Sequence, residues 1–370
     1  MGRILVAGET LVDFIPDARG SLPTVETFHR RAGGAPANVA VGLARLDVPP
    51  LFWTRIGDDP FGEFLHGTLV DAGVDDTYVV RDPTAKTSLV FVSLDPDAER
   101  SFSFHRDGTA DTQMQVGALS DGDLAAVDWV HAGGVTLAGG SSREATFDLL
   151  ERAGERDDVV VSFDPNARPE LFTDHDLAGS FERAFAAADV VKTTVEDLLA
   201  AGLVPSETTD DDAAAVAETI CGYGPHTTLV TRGANGALAR AEPAAPWNPT
   251  GSPIVVEHPG HSVDVVDTTG AGDAFTAGAI ASLAKAITAD VETGPSCAND
   301  GTESPTTTDD GGSTDPADRE DALGEALALA NAVAARTTTA RGAMTSLPSR
   351  EEALSIRNRS KHERYDGPDE

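Results

Sequence analysis

The sequence predicts an α/β protein: a mainly parallel central sheet covered by helices on both faces, plus a small antiparallel sheet set apart from it. Three observations carry this. Short apolar, β-branched runs alternate with helical patterns along most of the chain. Two regions break that alternation with period-2 segments of hairpin type. The chain has 370 residues, 40% of them hydrophobic, enough to bury the core of one large layered domain with an appendage.

Taken in order, Ile4–Ala7 is the first buried strand. Glu9 and Asp13 interrupt the apolar run "MGRILVAGETLVDF", so it reads as a strand and not as a leader. Leu11–Arg31 opens the small sheet, a lid or dimer surface. Helix Ala35–Arg45, strand Pro50–Arg55 and helix Pro60–Ala72 follow. Val74–Arg106 supplies the rest of the lid, with "TSLVFVSLD" (87–95) and "RSFSFHR" (100–106) paired as a hairpin across residues 96–99. Strands Trp129–Ala132, Val159–Phe163, Val190–Lys192 and Thr228–Thr231 then alternate with helices Ser142–Ala153, Leu177–Ala187, Val195–Ala201 and Asp211–Tyr223. A strand-like run (Val263, Val265, Val266) leads into a small-residue helix, Ala274–Ile287. Residues 289–321 are rich in Asp, Thr, Gly and Pro without periodicity and read as an acidic disordered insertion. Helix resumes at Ala322–Ala335, and 351–370 reads as a loose polar tail. Residues 1–350 thus form one domain.

The bulk charge excludes some classes of function. Sixty-one acids against 27 bases give a net charge of −34, which disfavours nucleic acid and anionic membranes alike. Such a surface suits the cytoplasm of a salt-accumulating halophile, where a Debye length of ~3 Å at 1 M salt screens the self-repulsion. Cys221 and Cys297 suggest neither a disulfide framework nor a zinc site. No run reaches the ~18 apolar residues of a membrane span, and no repeat of 20–50 residues is visible.

The chemistry concentrates in "DTTGAGDAFTAG" (267–278). Gly270 and Gly272 permit a tight turn whose N–H groups point one way, and the helix that follows adds its orphan donors and positive dipole end. Together they make an anion hole. The chain has no G-K-[ST], so this is no P-loop. Asp273 inside the hole would repel a bound phosphate. It makes sense facing a hydroxyl whose proton it takes during attack; an N-cap is the alternative role.

This stretch resembles the C-terminal signature of the ribokinase (PfkB) family of carbohydrate kinases, and "GGAPANVAVGLARL" (33–46) resembles the family's other signature. Further pieces fit in order: "GETLVDF" (8–14), "IGDDPFGEFL" (56–65), "SFDPNARPELF" (162–172), "TRGANGA" (231–237) and "ARTTTARGAMTSLP" (335–348). The likeness spans residues 1–350 apart from the acidic insertion. It implies a ribokinase-like three-layer α/β/α fold with a β lid.

Position by position, the resemblance implies that Asp273 is the catalytic base and that the N–H groups of Gly270, Ala271 and Gly272 form the anion hole. Asp13, Gly33, Gly34 and Asn38 correspond to sugar-binding residues. Lys192, Thr194, Thr231, Gly233 and Gly236 fall on the nucleotide side, and Asn331 on the wall of the adenine pocket. Asp267 and Thr269 correspond to ligands of a monovalent cation, K⁺. The family often shows Asn-x-x-Glu near Mg²⁺ and the phosphates; here the stretch reads Thr194-x-x-Asp197 with Glu196 adjacent. Either Glu196 or Asp197 organises Mg²⁺-bound water, or both form a solvated first helical turn. Asn166 and Arg168 follow a strand where α/β sites sit; Arg168 meets a phosphate or carboxylate, or pairs with an acid. Phe104 and His105 on the lid cover the sugar or pack.

Several segments look most like the fructokinases of that family. The expectation is an ATP- and Mg²⁺-dependent kinase acting on free fructose at O6 or O1. A 2-keto-3-deoxygluconate kinase would need a cation for the substrate carboxylate, with Arg31, Arg106 and Arg168 as candidates. A ribose or nucleoside kinase comes next. A non-catalytic sugar-binding protein on the same fold would not need the intact G-A-G-D. A dinucleotide-dependent oxidoreductase would want G-x-G-x-x-G where the chain reads "VAGETLVDF". The open lid edge suits a homodimer.

Overall fold

A computed structural model describes residues 3–94, 100–248, 250–292 and 316–365. In chain order its strands are β1 (Ile4–Ala7), β2 (Leu11–Pro16), β3 (Phe28–Gly33), β4 (Leu51–Gly57), β5 (Val79–Asp82), β6 (Leu89–Leu94), β7 (Arg100–His105), β8 (Trp129–Gly133), β9 (Val160–Asp164), β10 (Val190–Thr193), β11 (Thr227–Thr231), β12 (Ala237–Ala241) and β13 (Ile254–His258). The helices are α1 (Ala35–Arg45), α2 (Pro60–Asp71), α3 (Asp121–Leu124), α4 (Gly140–Gly154), α5 (Leu177–Ala186), α6 (Val195–Ala201), α7 (Ala213–Cys221), α8 (Ala271–Glu292), α9 (Pro316–Thr337) and α10 (Arg350–Tyr365).

The main sheet has nine strands in the order β13-β12-β11-β10-β9-β8-β1-β4-β5. Every neighbour from β11 to β5 pairs parallel, and β12 and β13 extend the sheet antiparallel. Strand periodicity divides the core between the two faces. In β1, Ile4 and Val6 pack into one cluster with α1, α8 and α9, while Leu5 and Ala7 pack into another with α4 to α7. This is the three-layer α/β/α arrangement.

The second sheet has the order β3-β2-β6-β7. It corrects two expectations. The lid is not wholly antiparallel: the hairpins β2–β3 and β6–β7 are each antiparallel, but they lie side by side with their first strands, β2 and β6, parallel. Residues 74–82 do not belong to it either; β5 pairs with β4 at the edge of the main sheet. One lid face, with Phe14, packs on Phe61 and Phe64 of α2. Strand alternation puts Asp13 of β2 on the opposite face, in register with Val90 and, across it, Phe104.

Two helical segments differ from the sequence reading. Arg350–Tyr365 is helix α10 where a loose tail is expected. Ala353 is fully buried, and Arg336–Glu352 (2.8 Å) and Arg357–Glu325 (2.7 Å) tie the helix to α9. Helices α8 and α9 also reach further than expected, to Glu292 and back to Pro316. The remainder of the acidic insertion, 293–315, lies outside the described residues, as do 366–370 of the tail. Among the described residues no helix is long and apolar enough to cross a membrane.

Candidate active site

All parallel strands of the main sheet end on one edge, so their following loops converge there. Glu9 follows β1, Asn166 and Arg168 follow β9, Thr194 follows β10, and Gly233 follows β11.

The loop before α8 is not a strand. Val265 and Val266 are 61% and 56% exposed, and β-branched character there builds no sheet. Instead the loop is tied to the end of α9. Val266 and Asp267 donate their N–H groups to the Thr338 carbonyl (2.8 and 3.1 Å). The Asp267 carboxylate accepts from the Thr269 N–H (3.0 Å) and hydroxyl (2.6 Å) through Oδ1, and from the Gly342 N–H (2.9 Å) through Oδ2. Gly270 turns the chain into α8 with φ +76°, and a Cβ there would stand 2.7 Å from that of Ala343.

The Ala271 N–H closes this turn onto the Thr268 carbonyl (3.2 Å). Among the described residues the N–H groups of Gly270, Gly272 and Asp273 donate to no group of the chain. The open donors are therefore Gly270, Gly272 and Asp273 itself, whose own N–H sequence reasoning did not single out.

Asp273 stands in the first turn of α8. Its Oδ2 accepts a 2.7 Å hydrogen bond from Asn38 Nδ2 on α1, 235 residues away. The two signatures of the sequence thus meet in one contact. Asn38 is 6% exposed and its Oδ1 has no partner, leaving an acceptor for a hydroxyl proton. Burial pushes the Asp273 carboxyl up to about 6; the Asn38 bond, Lys192 and Arg168 oppose this, and the Asp164 charge adds to it. A carboxylate with that pKa is ionised at neutral pH and basic enough to take a hydroxyl proton.

Around it, Lys192 Nζ binds Asp164 Oδ2 at 3.0 Å, both side chains nearly buried. Asn166 holds φ +38° and donates its N–H to Asp164 Oδ1 (3.2 Å). Arg168 Nη1 bonds the Ala167 carbonyl (2.8 Å), and its guanidinium lies 5.8 Å from the Phe102 ring of the lid. Phe102 shares its face of β7 with Phe104, the two rings 6.1 Å apart. On this face of the lid it is Phe102 that lies near Arg168, a residue missed by sequence reasoning although the period-2 pattern pairs it with Phe104. On β3, Gly33 abuts Asp13: a Cβ there would collide with Asp13 Oδ2, so only glycine leaves that carboxylate its place.

Glu9 is a second missed residue. It is 2% exposed, its Oε1 accepts from the Ala35 N–H (3.2 Å) at the start of α1, and burial pushes its pKa up to about 7. An acid inside an otherwise apolar first strand region was the available signal.

After β10, Thr194 and Asp197 form a capping box at the start of α6. Asp197 Oδ2 accepts from the Thr194 hydroxyl (2.8 Å), and Oδ1 from the Ala167 N–H (2.7 Å). Glu196 is exposed. Thr231 Oγ1 approaches the Thr193 carbonyl (3.5 Å), and Gly233 and Gly236 shape the turn between β11 and β12. Asn331, 6% exposed on α9, bonds the Leu327 carbonyl one turn back (2.8 Å). Of the arginines that a keto-acid substrate would need, Arg106 is buried in an ion pair with Asp111 (2.6 Å) and Arg31 is exposed on β3.

The family description "pfkB family carbohydrate kinase" matches residues 1–350. The chain is 37% identical over 348 residues to a fructokinase of Klebsiella pneumoniae, covering 94% of this chain and 96% of that protein. It is 34% identical to a fructokinase of Vibrio alginolyticus, covering 96% and 98%. Among solved structures, a fructokinase of Xylella fastidiosa with bound ATP superposes with TM-score 0.75 at 31% identity, over 97% of this chain and 99% of that one. A fructokinase of Vibrio cholerae with fructose, ADP and calcium bound gives TM-score 0.72 at 31% identity, over 96% and 99%.

Proposed function

The chain belongs to the pfkB family of carbohydrate kinases, and from that premise we infer that it is an ATP-dependent fructokinase. The observation that carries the chemistry is the Asn38–Asp273 contact at the mouth of α8, beside the open N–H groups of Gly270 and Gly272.

In this reading fructose enters between the lid and the strand ends. Asp13 and Asn38 Oδ1 hold its hydroxyls. The hydroxyl lying in line with the γ-phosphate faces Asp273, which takes its proton as it attacks. The open N–H groups stabilise the charge that develops on the phosphoryl group. Phe102 and Phe104 shield the cleft from water. Of the three arginines a keto-acid would need, Arg106 is paired with Asp111 and Arg31 is exposed, which leaves Arg168 beside the site as the cation for that substrate.

Mg²⁺ bound with ATP would supply neutralisation of phosphate charge. Among the described residues no three acids or histidines form a cage of their own. That fits an ion shared with the nucleotide, since Mg²⁺ is commonly held by one or two carboxylates plus phosphates. The acid for metal-bound water would be Glu196, which is exposed, or Asp197, which also closes the cap and holds the Ala167 N–H. Asp267 and Thr269 belong to a K⁺ site beside the anion hole; a Vibrio cholerae fructokinase structure with fructose and ADP contains potassium. Thr231, Gly233, Gly236 and Asn331 line the nucleotide. Edge strands β3 and β7 of the lid offer the surface for a homodimer.

The test is a kinase assay in about 2–3 M KCl, where exposed charge is screened, with ATP and Mg²⁺. Fructose, 2-keto-3-deoxygluconate, ribose and adenosine are offered in parallel, and NMR reads which oxygen carries phosphate. Fructose turnover is expected; turnover of the keto-acid alone overturns the substrate.

A further inference from the structure

The second sheet joins the main body at four crossings: before β2, after β3, before β6 and after β7. Buried polar side chains gather at all of them. Glu9 stands at the first and accepts the Ala35 N–H of the second (3.2 Å). Ser88 stands at the third and Arg106 at the fourth. Arg106 Nε binds Asp111 Oδ2 (2.6 Å), and Nη1 reaches the Val135 carbonyl of the body (3.3 Å). Asp111 Oδ1 accepts from the hydroxyls of Ser88 and Thr109. Glu9, Ser88, Arg106 and Asp111 are all buried.

Two atoms of this cluster are unspent. Among the described residues Glu9 Oε2 and Arg106 Nη2 are buried without a hydrogen-bond partner. Leaving such atoms unpaired is costly, above all on charged groups. One is an acceptor on an acid and the other a donor on a base. Burial pushes the Glu9 carboxyl up to about 7; the charges facing it are Arg106, which opposes the rise, and Asp111, which adds to it. The cluster therefore holds one more bond than it makes, at the place where a closing sheet must pivot.

Glu9 also reaches the reaction centre indirectly. Gly34, which precedes α1, supplies no side-chain cap, so the Glu9 carboxylate caps that helix from another strand. One turn on, Asn38 donates to Asp273 (2.7 Å). A closed Glu9 would face two donors, the Ala35 N–H and Arg106 Nη2. A carboxylate has an oxygen for each; an amide has one.

We propose that Glu9 and Arg106 form the latch of the lid: on closure over the sugar Arg106 Nη2 donates to Glu9 Oε2, while Oε1 keeps the start of α1, and with it Asn38, in place beside Asp273. Glu9 is thus a positioning residue that touches no substrate. The proposal rests on the kinase reading in taking the second sheet as a lid over a sugar, but not on which sugar is bound.

The test is calorimetric titration of the parent and of Glu9→Gln with fructose, and separately with MgATP, in about 2 M KCl. The variant is expected to bind fructose at least about tenfold more weakly, one charge-assisted bond being lost in the closed state, and MgATP within about threefold of the parent. Its thermal midpoint without sugar is expected at or above the parent's, since it carries no unpaired buried charge. Unchanged fructose affinity, with or without a lower midpoint, overturns the proposal. A second readout needs no variant. Pairing with Arg106 lowers the Glu9 pKa, so closure releases a proton. At pH 7 the parent should give off about half a proton per fructose, measured in buffers of different ionisation enthalpy. Asp273, at about 6, is mostly ionised there. No release from the parent, or equal release from Glu9→Gln, overturns the latch. Failure of the fructose reading shows instead as no fructose binding by the parent, and the sugar turned over in the kinase assay then takes its place in the titration.

Discussion

Asp273 carries the account at the scale of single residues, and its environment makes two predictions. Its carboxyl is held up at about 6 by burial, so kcat/KM should fall about tenfold per pH unit below pH 6 as the base takes a proton; a profile flat to pH 5 would exclude it. The same shift bears on stability. A carboxyl raised on folding binds a proton in the native state that the unfolded chain does not bind between about 4 and 6. Its contribution is therefore least favourable above pH 6 and recovers as pH falls through that window. Asp273→Asn should accordingly gain about 1–3 kcal/mol at pH 7.5, read by urea unfolding in high salt. The candidate base was legible because it lies in a short local motif. Its partner's role was not: Asn38 is 235 residues away, and the geometry of Lys192 and Glu9 likewise depends on folds of the chain that no local pattern records.

At the scale of elements, the start of α6 separates the roles of two neighbouring acids. Helix α6 begins with a capping box, Thr194 to Asp197. Asp197→Asn should cost about 1–2 kcal/mol of stability, the size of a lost cap, with turnover reduced less than about tenfold. Glu196→Gln should leave stability within about 0.5 kcal/mol and raise KM for MgATP several-fold. The reverse pattern would give the metal role to Asp197. On the lid, Gly33→Ala should raise KM for the sugar more than about tenfold without changing KM for ATP, because the new methyl displaces Asp13. Most main-sheet strands and their helices were legible from periodicity. Strands β12 and β13 were not: "ALARA" is alanine-rich and lacks the β-branched signal. The valines at 263–266 carried that signal, yet their loop pairs with Thr338 at the end of α9. Helix α10 was hidden by its polar composition and is set by contacts with α9.

The whole molecule combines a net charge of −34 with a layered core. Dispersed like charges destabilise the compact state in dilute buffer. The midpoint of thermal unfolding should therefore rise between 0.1 and about 2 M KCl as screening grows; a midpoint insensitive to salt would show that the acids do not act together. The fold class was legible as a whole because alternating strands and helices leave few topologies. The arrangement of the lid was less so, since two hairpins can be set side by side in more than one order and only the paired strands β2 and β6 fix it. The central claim is that the mouth of α8 transfers phosphate to fructose with Asp273 as the base. Its most direct test is fructose phosphorylation by the Asp273→Asn variant, with fructose and ATP affinities measured on the same protein. A loss of about 10³-fold in kcat, with both affinities within a few-fold of the parent, is the predicted result. Near-normal turnover would contradict it and leave Asp273 as no more than the first turn of a helix.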